Sequence, residues 1–260
     1  MSEPMIVAAS LLPVTPALGG VVAGLLLAAV LVAALAHLGH GRGILVAGVR
    51  AALQLLVVSA VITHVVDRWW ATLLFVALMY AVAAVTASGR VTGTRVDVWV
   101  ALTLLAATLP VLGLLAATGL IPFDGLVVIP IAGSQLGGAL TATVLAGRRS
   151  LEELETRRGE VEAALSLGFS DRDARLEICR PAASGALIPA LDQTRTVGLV
   201  TLPGAFVGML LGGASPVDAG AVQLFVLVAL LATEAVAVAA VLECVARGLV
   251  MRPQTNSPTS

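Results

Sequence analysis

The stretch LGGVVAGLLLAAVLVAALA, residues 18–36, carries no charged side chain over its whole length. As an α-helix it is long enough to cross the roughly 30 Å hydrocarbon core of a bilayer, which takes about 20 residues. Similar runs recur along the chain, and they do not alternate apolar and polar residues as the strands of a membrane barrel do. The pattern predicts an all-α polytopic membrane protein. We place seven transmembrane helices near residues 18–36, 44–62, 69–87, 98–118, 126–146, 197–212 and 221–246.

The composition excludes a soluble globular protein. Hydrophobic residues make up 58% of the chain and charged residues only 12%, whereas soluble chains carry about 25% charged residues. So few charges cannot cover a water-facing surface. We therefore expect a multi-pass protein of the cell membrane (inner or plasma), surrounded by the lipid bilayer and without a nucleic-acid partner. A cleavable signal peptide is not expected, because the leader contains Glu3 and no basic residue.

The distribution of arginine predicts the orientation. If the amino terminus faces outward, Arg42, Arg90, Arg95 and the polar segment 148–195 lie inside, and Arg68 is the only arginine in an outer loop. Basic residues concentrate in cytoplasmic loops, so we predict N-out and C-in. Residues 1–17 are then an extracytoplasmic N-terminal segment, and residues 18–147 contain helices one to five. A cytoplasmic loop follows at 148–195, helices six and seven at 196–247, and a disordered cytoplasmic tail at 248–260.

The one long polar segment, residues 148–195, holds eight of the fifteen arginines. Ser150, with Glu153 three residues later, forms a capping-box pattern that predicts a helix start. Gly168 is placed to end that helix, and Ser170 to cap a second helix with acidic residues in its first turn. The segment is therefore predicted to be a cytoplasmic helical hairpin rather than an unstructured loop.

Part of this hairpin resembles the EAA loop of bacterial ATP-binding-cassette (ABC) permeases. That loop reads E-A-A, three residues, glycine, nine residues, isoleucine, one residue, leucine-proline. The matching residues are Glu162, Ala163, Ala164, Gly168, Ile178 and Pro181. Arg180 stands where the loop usually has leucine. The resemblance implies that the short helix after the glycine, which Ser170 caps, is a coupling helix that docks in a groove of a separate ATPase subunit.

Further stretches match a narrower family over roughly residues 44–247. They are LSLGFS at 165–170, ALIP at 186–189, TVGLVTLPG at 196–204 and VIPIAG at 128–133, with Arg50, Gln54, Gly212–Pro216 and Gln223. In these stretches the chain resembles the FetB-type permease family, which includes bacterial iron-export permeases and plant relatives linked to aluminium tolerance. The resemblance implies a homodimeric membrane domain, a separate ATPase subunit and export of a metal ion such as iron.

The chain contains no lysine. A P-loop needs lysine to reach the β- and γ-phosphates of a nucleotide. If transport is driven by ATP, hydrolysis must therefore occur on another polypeptide. We expect this chain to bind no cofactor, with ATP and Mg²⁺ on the partner subunit. A zinc-protease motif His-Glu-x-x-His is also absent, so we predict a transport subunit rather than an enzyme.

The sixth predicted helix is a candidate for the substrate path. It is short, and Pro203 and Gly204 interrupt it. Interrupted helices in transporters free backbone groups to face a substrate, and Thr196 and Thr201 add hydroxyl oxygens, which hard metal ions prefer as ligands. Helix packing explains the glycines equally well, because Gly204, Gly208 and Gly212 have the small-xxx-small spacing of close helix contacts.

Glu234 lies near the middle of the seventh predicted helix. A carboxylate at this depth costs roughly 2.5–3.5 kcal/mol, so it should face the protein interior. One interpretation is a cation ligand or a proton-linked group on the substrate path, together with Gln54 of helix two. The other is a structural hydrogen bond to Gln54 or Gln135. The sequence does not identify a set of metal ligands.

Two other functions remain open. An importer permease for a small solute such as an amino acid would share the EAA loop, and a neighbouring solute-binding lipoprotein would indicate it. A membrane scaffold or receptor would not co-purify with an ATPase.

Overall fold

The structure, a computed structural model, describes residues 15–119 and 124–252, and the secondary-structure elements in these ranges are helices. The predicted all-α fold class is confirmed. Most of the expected N-terminal segment and of the expected tail lies outside the described residues. The helices are α1 (Pro16–Leu35), α2 (Gly41–Val66), α3 (Trp69–Val91), α4 (Val98–Thr118), α5 (Gly125–Thr156), α6 (Arg158–Ser166), α7 (Asp171–Ser184), a 3₁₀ turn (Gly185–Leu187), α8 (Ile188–Thr196), α9 (Gly204–Leu211) and α10 (Pro216–Ala246).

Six helices in the described ranges, α1 to α5 and α10, are long and apolar enough to cross a membrane. The predicted count of seven is not confirmed, because residues 197–212 form no continuous helix. Pro203 lacks an amide hydrogen and disfavours helix at the residue before it, and Gly198 has a φ of +85°. Helix α9 begins only at Gly204 and has eight residues. The predicted interruption is thus present, and it divides the segment.

The chain forms two compact units, residues 1–67 and 68–260. In the first, α1 and α2 make a hairpin in which a Cβ on Gly48 would lie 2.6 Å from Leu26 Cδ1. Most of the large apolar side chains of this unit are exposed, as Leu56 is at 69%. Extensive exposed apolar surface of this kind is typical of a surface that faces lipid.

The second unit is built on the parallel pair α5 and α10. A Cβ on Gly138 of α5 would meet Leu230 and Glu234 of α10, and nine residues later a Cβ on Gly147 would lie 3.2 Å from Val241. Contacts that advance together along both helices show that they run in the same direction. Glycine allows this close approach because it has no side chain to separate the backbones.

Helices α3, α4 and α7 complete the core around this pair. The core residues are mainly small or β-branched, and include Ala83, Ala87, Val91, Val100, Leu104, Ala107, Ala139, Ala142, Ala146, Cys179, Ala183, Val241 and Val245. Val250, which the sequence places in the disordered tail, is fully buried in the same core.

Because α5 and α10 are parallel, the chain between them must return across the bundle. The hairpin of α6 and α7 lies where α5 and α10 end, since Arg172 of α7 contacts Glu243 of α10. The return is therefore made by residues 185–215, as the 3₁₀ turn, α8, an irregular segment 197–203 and α9.

Candidate functional site

Helix α5 projects beyond its apolar portion and carries the hairpin. The sequence predicts a new helix at Ser150, and this prediction is wrong, because α5 continues without a break to Thr156. Ser150 is fully buried and Leu151 is 6% exposed. Burial of these two residues in the core keeps the helix intact beyond the charged pair Arg148 and Arg149. The break comes at Arg157, where ψ is 30° and α6 begins.

The predicted turn of the hairpin is confirmed. Helix α6 ends at Ser166, and Gly168 adopts a φ of +91°, a conformation that side chains with a Cβ disfavour. The Ser170 side chain then accepts a hydrogen bond from the Asp173 backbone N–H at 3.2 Å. This N-cap starts α7 at Asp171.

The EAA-like residues divide between a solvent-exposed tip and a buried base. Glu162 and Ala163 are exposed on α6, which has no buried residue, and Ala164 is half-buried. Glu162 accepts a hydrogen bond from Arg158 Nε at 3.1 Å. On α7, Ile178 is buried, while Pro181 is exposed. The motif therefore exposes its first part and anchors its second part in the protein.

Large apolar side chains flank the turn and lie open to solvent. Leu167 is 80% exposed, Phe169 49% and Leu165 37%. We call Leu165, Leu167 and Phe169 the hairpin tip. Three apolar side chains around a rigid turn, away from the apolar portions of the long helices, make a surface suited to bind another protein.

Helix α7 is fixed to α5 through its buried face. The Cys179 thiol is fully buried and donates a hydrogen bond to the Ser150 carbonyl oxygen at 3.4 Å. Burial in apolar surroundings raises the pKa of Cys179 to about 11. Ala183 and Ala186 continue the same buried face, so α7 and the following turn are both packed in the core.

Ion pairs join the hairpin to the end of α10. Arg172 donates from Nε and Nη2 to the two Glu243 oxygens at 2.7 and 2.8 Å. Arg247 donates to the same carboxylate at 2.6 Å. Arg252, which follows α10, lies 3.3 Å from both Glu152 and Glu155 of α5. The hairpin, α5 and α10 are thus tied together at one end of the bundle.

The predicted path residues Thr196, Thr201, Pro203 and Gly204 lie at the end of α8, in the irregular segment and at the start of α9. The Thr196 hydroxyl donates to the Asp192 carbonyl oxygen at 2.8 Å within α8, so that group is already partnered. Thr201 is exposed in the irregular segment, where its carbonyl oxygen accepts from Gly198 N–H at 2.8 Å. Pro203 and Gly204 start α9. The two threonines are neighbours in space, because the Thr201 backbone N–H donates to the Thr196 carbonyl oxygen at 3.3 Å.

A cavity of about 160 Å³ lies between the irregular segment, α9 and α10. Its walls are formed by Val197, Gly198, Leu202, Pro203, Phe206, Gly220, Gln223, Leu224 and Leu227. Gln223 is 7% exposed, and its Oε1 has no hydrogen-bond partner among the described residues. The interruption of the helix therefore leaves a mostly apolar space with one amide in its wall.

Glu234 faces α5 inside the bundle. It is 8% exposed and is the only charged side chain among the buried residues in the described ranges. Its Oε1 lies 2.9 Å from the position that a Cβ on Gly138 would take. The neighbouring Thr233 donates from Oγ1 to Gln135 Oε1 at 2.6 Å, and Gln135 Nε2 has no partner in the described part of the chain. We call Gln135, Thr233 and Glu234 the buried polar site.

The hydrogen bond suggested between Glu234 and Gln135 is not formed. Gln135 pairs with Thr233 instead, and Gln54 lies exposed on α2 in the first unit. The sequence analysis did not predict the hydrogen bond from Thr233 to Gln135, although Thr233 stands next to an acidic residue within an apolar run. It also missed the pairing of Arg172 with Glu243, for which the sequence gives no signal because 71 residues separate the two.

The fold is that of a helical multi-pass membrane protein. The chain belongs to the family described as uncharacterised protein family UPF0014, whose model matches residues 19–250. The FetB-type resemblance is thereby confirmed. No solved structure matches the chain.

Three relatives illustrate the family. The chain is 34% identical over 197 residues to the UPF0014 membrane protein STAR2 of Oryza sativa subsp. japonica, covering 74% of this chain and 68% of that protein. It is 36% identical over 182 residues to the Protein ALUMINUM SENSITIVE 3 of Arabidopsis thaliana, covering 68% and 66%. It is 33% identical over 189 residues to the protein named Probable iron export permease protein FetB of Escherichia coli strain K12, covering 71% and 72%.

Proposed function

We propose that this chain is the membrane-spanning subunit of an ABC transporter that exports a metal ion such as iron. Two copies form the membrane domain, and a separate ATPase subunit binds ATP with Mg²⁺ and docks on the hairpin tip. The observation that carries the proposal is the hairpin itself. It exposes Leu167 and Phe169 around the turn at Gly168, yet is fixed to α5 and α10 by buried contacts and ion pairs.

This arrangement suits the transmission of force. If the docking surface moved independently, motion of a bound partner would not displace the helix bundle. The hairpin tip is instead anchored through Cys179 and Arg172, so motion of the partner would displace the bundle as well. Glu234 lies nine residues before Glu243 on α10, or about 14 Å at the helical rise per residue. A displacement of α7 would therefore reach the buried polar site through one continuous helix.

The metal substrate and the direction of transport are supported by the similarity to the Escherichia coli protein named Probable iron export permease protein FetB. The homodimer is supported by the open face of α9. A Cβ at Gly204 or Gly208 would have no neighbouring atom within 4 Å. Small residues on an open helix face allow a second helix to approach closely. A functionally coupled solute-binding protein would instead favour an importer.

The test is co-purification of the tagged full chain from native membranes. We expect a polypeptide with a P-loop and ATPase activity to accompany the wild-type chain. Leu167→Glu should abolish this association without changing membrane insertion or thermal stability, because the Leu167 side chain is 80% exposed and contributes little to packing. Leu167→Met, which keeps an apolar side chain, is the matched control. If no ATPase accompanies the wild-type chain, it is a scaffold or receptor; if Leu167→Glu binds the ATPase normally, the tip is not the docking surface.

A further inference from the structure

The buried polar site joins α5 and α10 in the middle of the bundle. Thr233 Oγ1 and Gln135 Oε1 lie 2.6 Å apart, and the carboxylate of Glu234 extends over Gly138, which is three residues beyond Gln135 on α5. A Cβ on Gly138 would lie 2.4 Å from Leu230 Cδ1 and 2.9 Å from Glu234 Oε1, so any larger residue would force these two side chains to shift. The packing of the two helices thus makes room for the carboxylate and fixes its place.

Two groups at this site are without compensation. No ion pair or hydrogen bond joins Glu234 to any residue that the structure describes, and no positive side chain is among its buried residues. Gln135 is fully buried, and its Nε2 is also without a partner there. A carboxylate inside a membrane is retained where it meets a cation or a proton, and an unpaired buried amide costs about 1–3 kcal/mol.

We propose that Glu234, Gln135 and Thr233 bind a divalent metal cation that prefers oxygen ligands and keeps part of its water during transport. The site supplies two carboxylate oxygens, one amide oxygen and one hydroxyl oxygen, and no sulfur or imidazole. Such a set suits Mn²⁺ and similar hard cations rather than cations that prefer thiolate. The inference rests on the proposed transport function, and it adds the residues and the chemical class of the cargo.

Rotation of the Gln135 amide would give Nε2 a partner and free the amide oxygen for a cation. With its ends exchanged, Nε2 donates to Thr233 Oγ1, which can in turn donate to a carbonyl oxygen of its own helix. The amide oxygen then faces the cation together with the carboxylate. The hydrogen bond between α5 and α10 is kept with its direction reversed, so the site changes without separating the helices.

The affinity is expected to be low. In the described ranges, no group of three or more His, Cys, Asp or Glu side chains is placed to hold a metal ion. A transport site must bind its ion strongly enough for entry and weakly enough for release. One carboxylate with neutral oxygen ligands and retained water meets that requirement, whereas a closed cage would trap the ion.

The test uses the purified full chain in lipid nanodiscs without an ATPase, with Mn²⁺ binding followed by electron paramagnetic resonance. We expect one Mn²⁺ site per chain, weakened at least tenfold by Glu234→Gln and unchanged by Asp67→Asn, a matched change at an exposed acid in the loop between α2 and α3. Wild-type affinity in Glu234→Gln, or no Mn²⁺ binding by the wild type, would overturn the proposal.

A second variant covers the case in which Glu234→Gln does not fold. Gln135→Met keeps roughly the volume and removes both the unpaired Nε2 and the hydrogen bond to Thr233, whose hydroxyl can donate to a carbonyl oxygen of its own helix instead. We expect it to fold with thermal stability close to that of the wild type and to bind Mn²⁺ at least fivefold more weakly. Unchanged affinity in this variant counts against the site. Mn²⁺ binding without any associated ATPase would refute the proposed ABC function alone, and ATPase association without Mn²⁺ binding would refute this inference alone.

Discussion

Arg172 of α7 and Glu243 of α10 form a two-point ion pair, with nitrogen–oxygen distances of 2.7 and 2.8 Å. The two side chains are 46% and 30% exposed. A solvent-exposed pair contributes little to stability, so its importance lies in what it connects. It links the hairpin that carries the proposed ATPase contact to the helix that carries Glu234.

If the proposed transport function is right, loss of this ion pair should uncouple the hairpin from α10. With Arg172→Gln we expect normal ATPase association and thermal stability, but ATP-driven transport lowered by at least about fivefold, the lower end of typical coupling between sites. Transport and ATP hydrolysis are measured together in proteoliposomes. The control is Arg195→Gln, which removes only a pair with Asp192 within α8. Equal effects of the two substitutions would contradict a special role for Arg172.

The hairpin turn depends on the backbone of Gly168. Its φ of +91° makes any residue with a Cβ unfavourable there, by about 1–2 kcal/mol. Gly168→Ala should therefore weaken ATPase binding about tenfold, by the usual relation of free energy to affinity, and Gly168→Arg should abolish binding while membrane insertion is kept. Titration of the purified chain with the ATPase proposed as its partner measures both.

The control for Gly168→Ala is Gly159→Ala. Both glycines have open space for a Cβ, and only Gly168 has a positive φ. Alanine favours the helix at Gly159, so binding there should be unchanged. A similar loss of binding in both variants would show that the turn conformation is not the cause.

The long helices could be predicted from the sequence because their signal is local. An apolar run is visible whatever surrounds it, and the predicted start of the third span at Trp69 is where α3 begins. The end of α5 could not be predicted in this way. Arg148, Arg149 and Ser150 resemble a helix boundary, but packing with α7 buries Ser150 and extends the helix to Thr156. Tertiary contacts overrode the local signal.

Part of the candidate site could also be predicted, because two of its residues have local signals in the sequence. Glu234 is recognisable as a charge within an apolar run, and Gly168 as a glycine between two capped helices. The partner of Gln135 was not recognisable, because it depends on how α5 and α10 are aligned, and 98 residues separate Gln135 from Thr233. The Gly138 contact depends on the same alignment.

The Cys179 thiol should report on movement between α7 and α5. Thiolate is the reactive form, and with a pKa of about 11 only roughly one thiol in ten thousand is ionised at pH 7. In a chain with Cys244→Ala, we expect negligible maleimide labelling at pH 7 before denaturation. Labelling should increase as the pH rises towards 11, because the thiolate fraction grows.

The raised pKa of Cys179 also predicts how the stability of the fold changes with pH. Since the folded state holds the Cys179 proton more tightly than the unfolded state, its contribution is complete below about pH 8.5, the usual thiol value, and is lost as pH rises towards 11. Replacing Cys179 with alanine should remove this part of the alkaline destabilisation. Rapid labelling at pH 7 in the folded chain would show that α7 is not fixed to α5.

Two adjacent glycines of α5 test the close contact beneath Glu234. A Cβ on Gly138 would collide with Leu230 and lie 2.9 Å from Glu234 Oε1, whereas nothing lies within 4 Å of a Cβ on Gly137. Overpacking of this kind costs about 1–3 kcal/mol, while alanine in an open helix position gains about 0.5–1 kcal/mol. Gly138→Ala should therefore lower the thermal stability of the purified chain and displace the carboxylate, and Gly137→Ala should be neutral or slightly stabilising. If both variants behave alike, α5 and α10 do not meet closely at Glu234, and the carboxylate has more room than the contact at Gly138 allows.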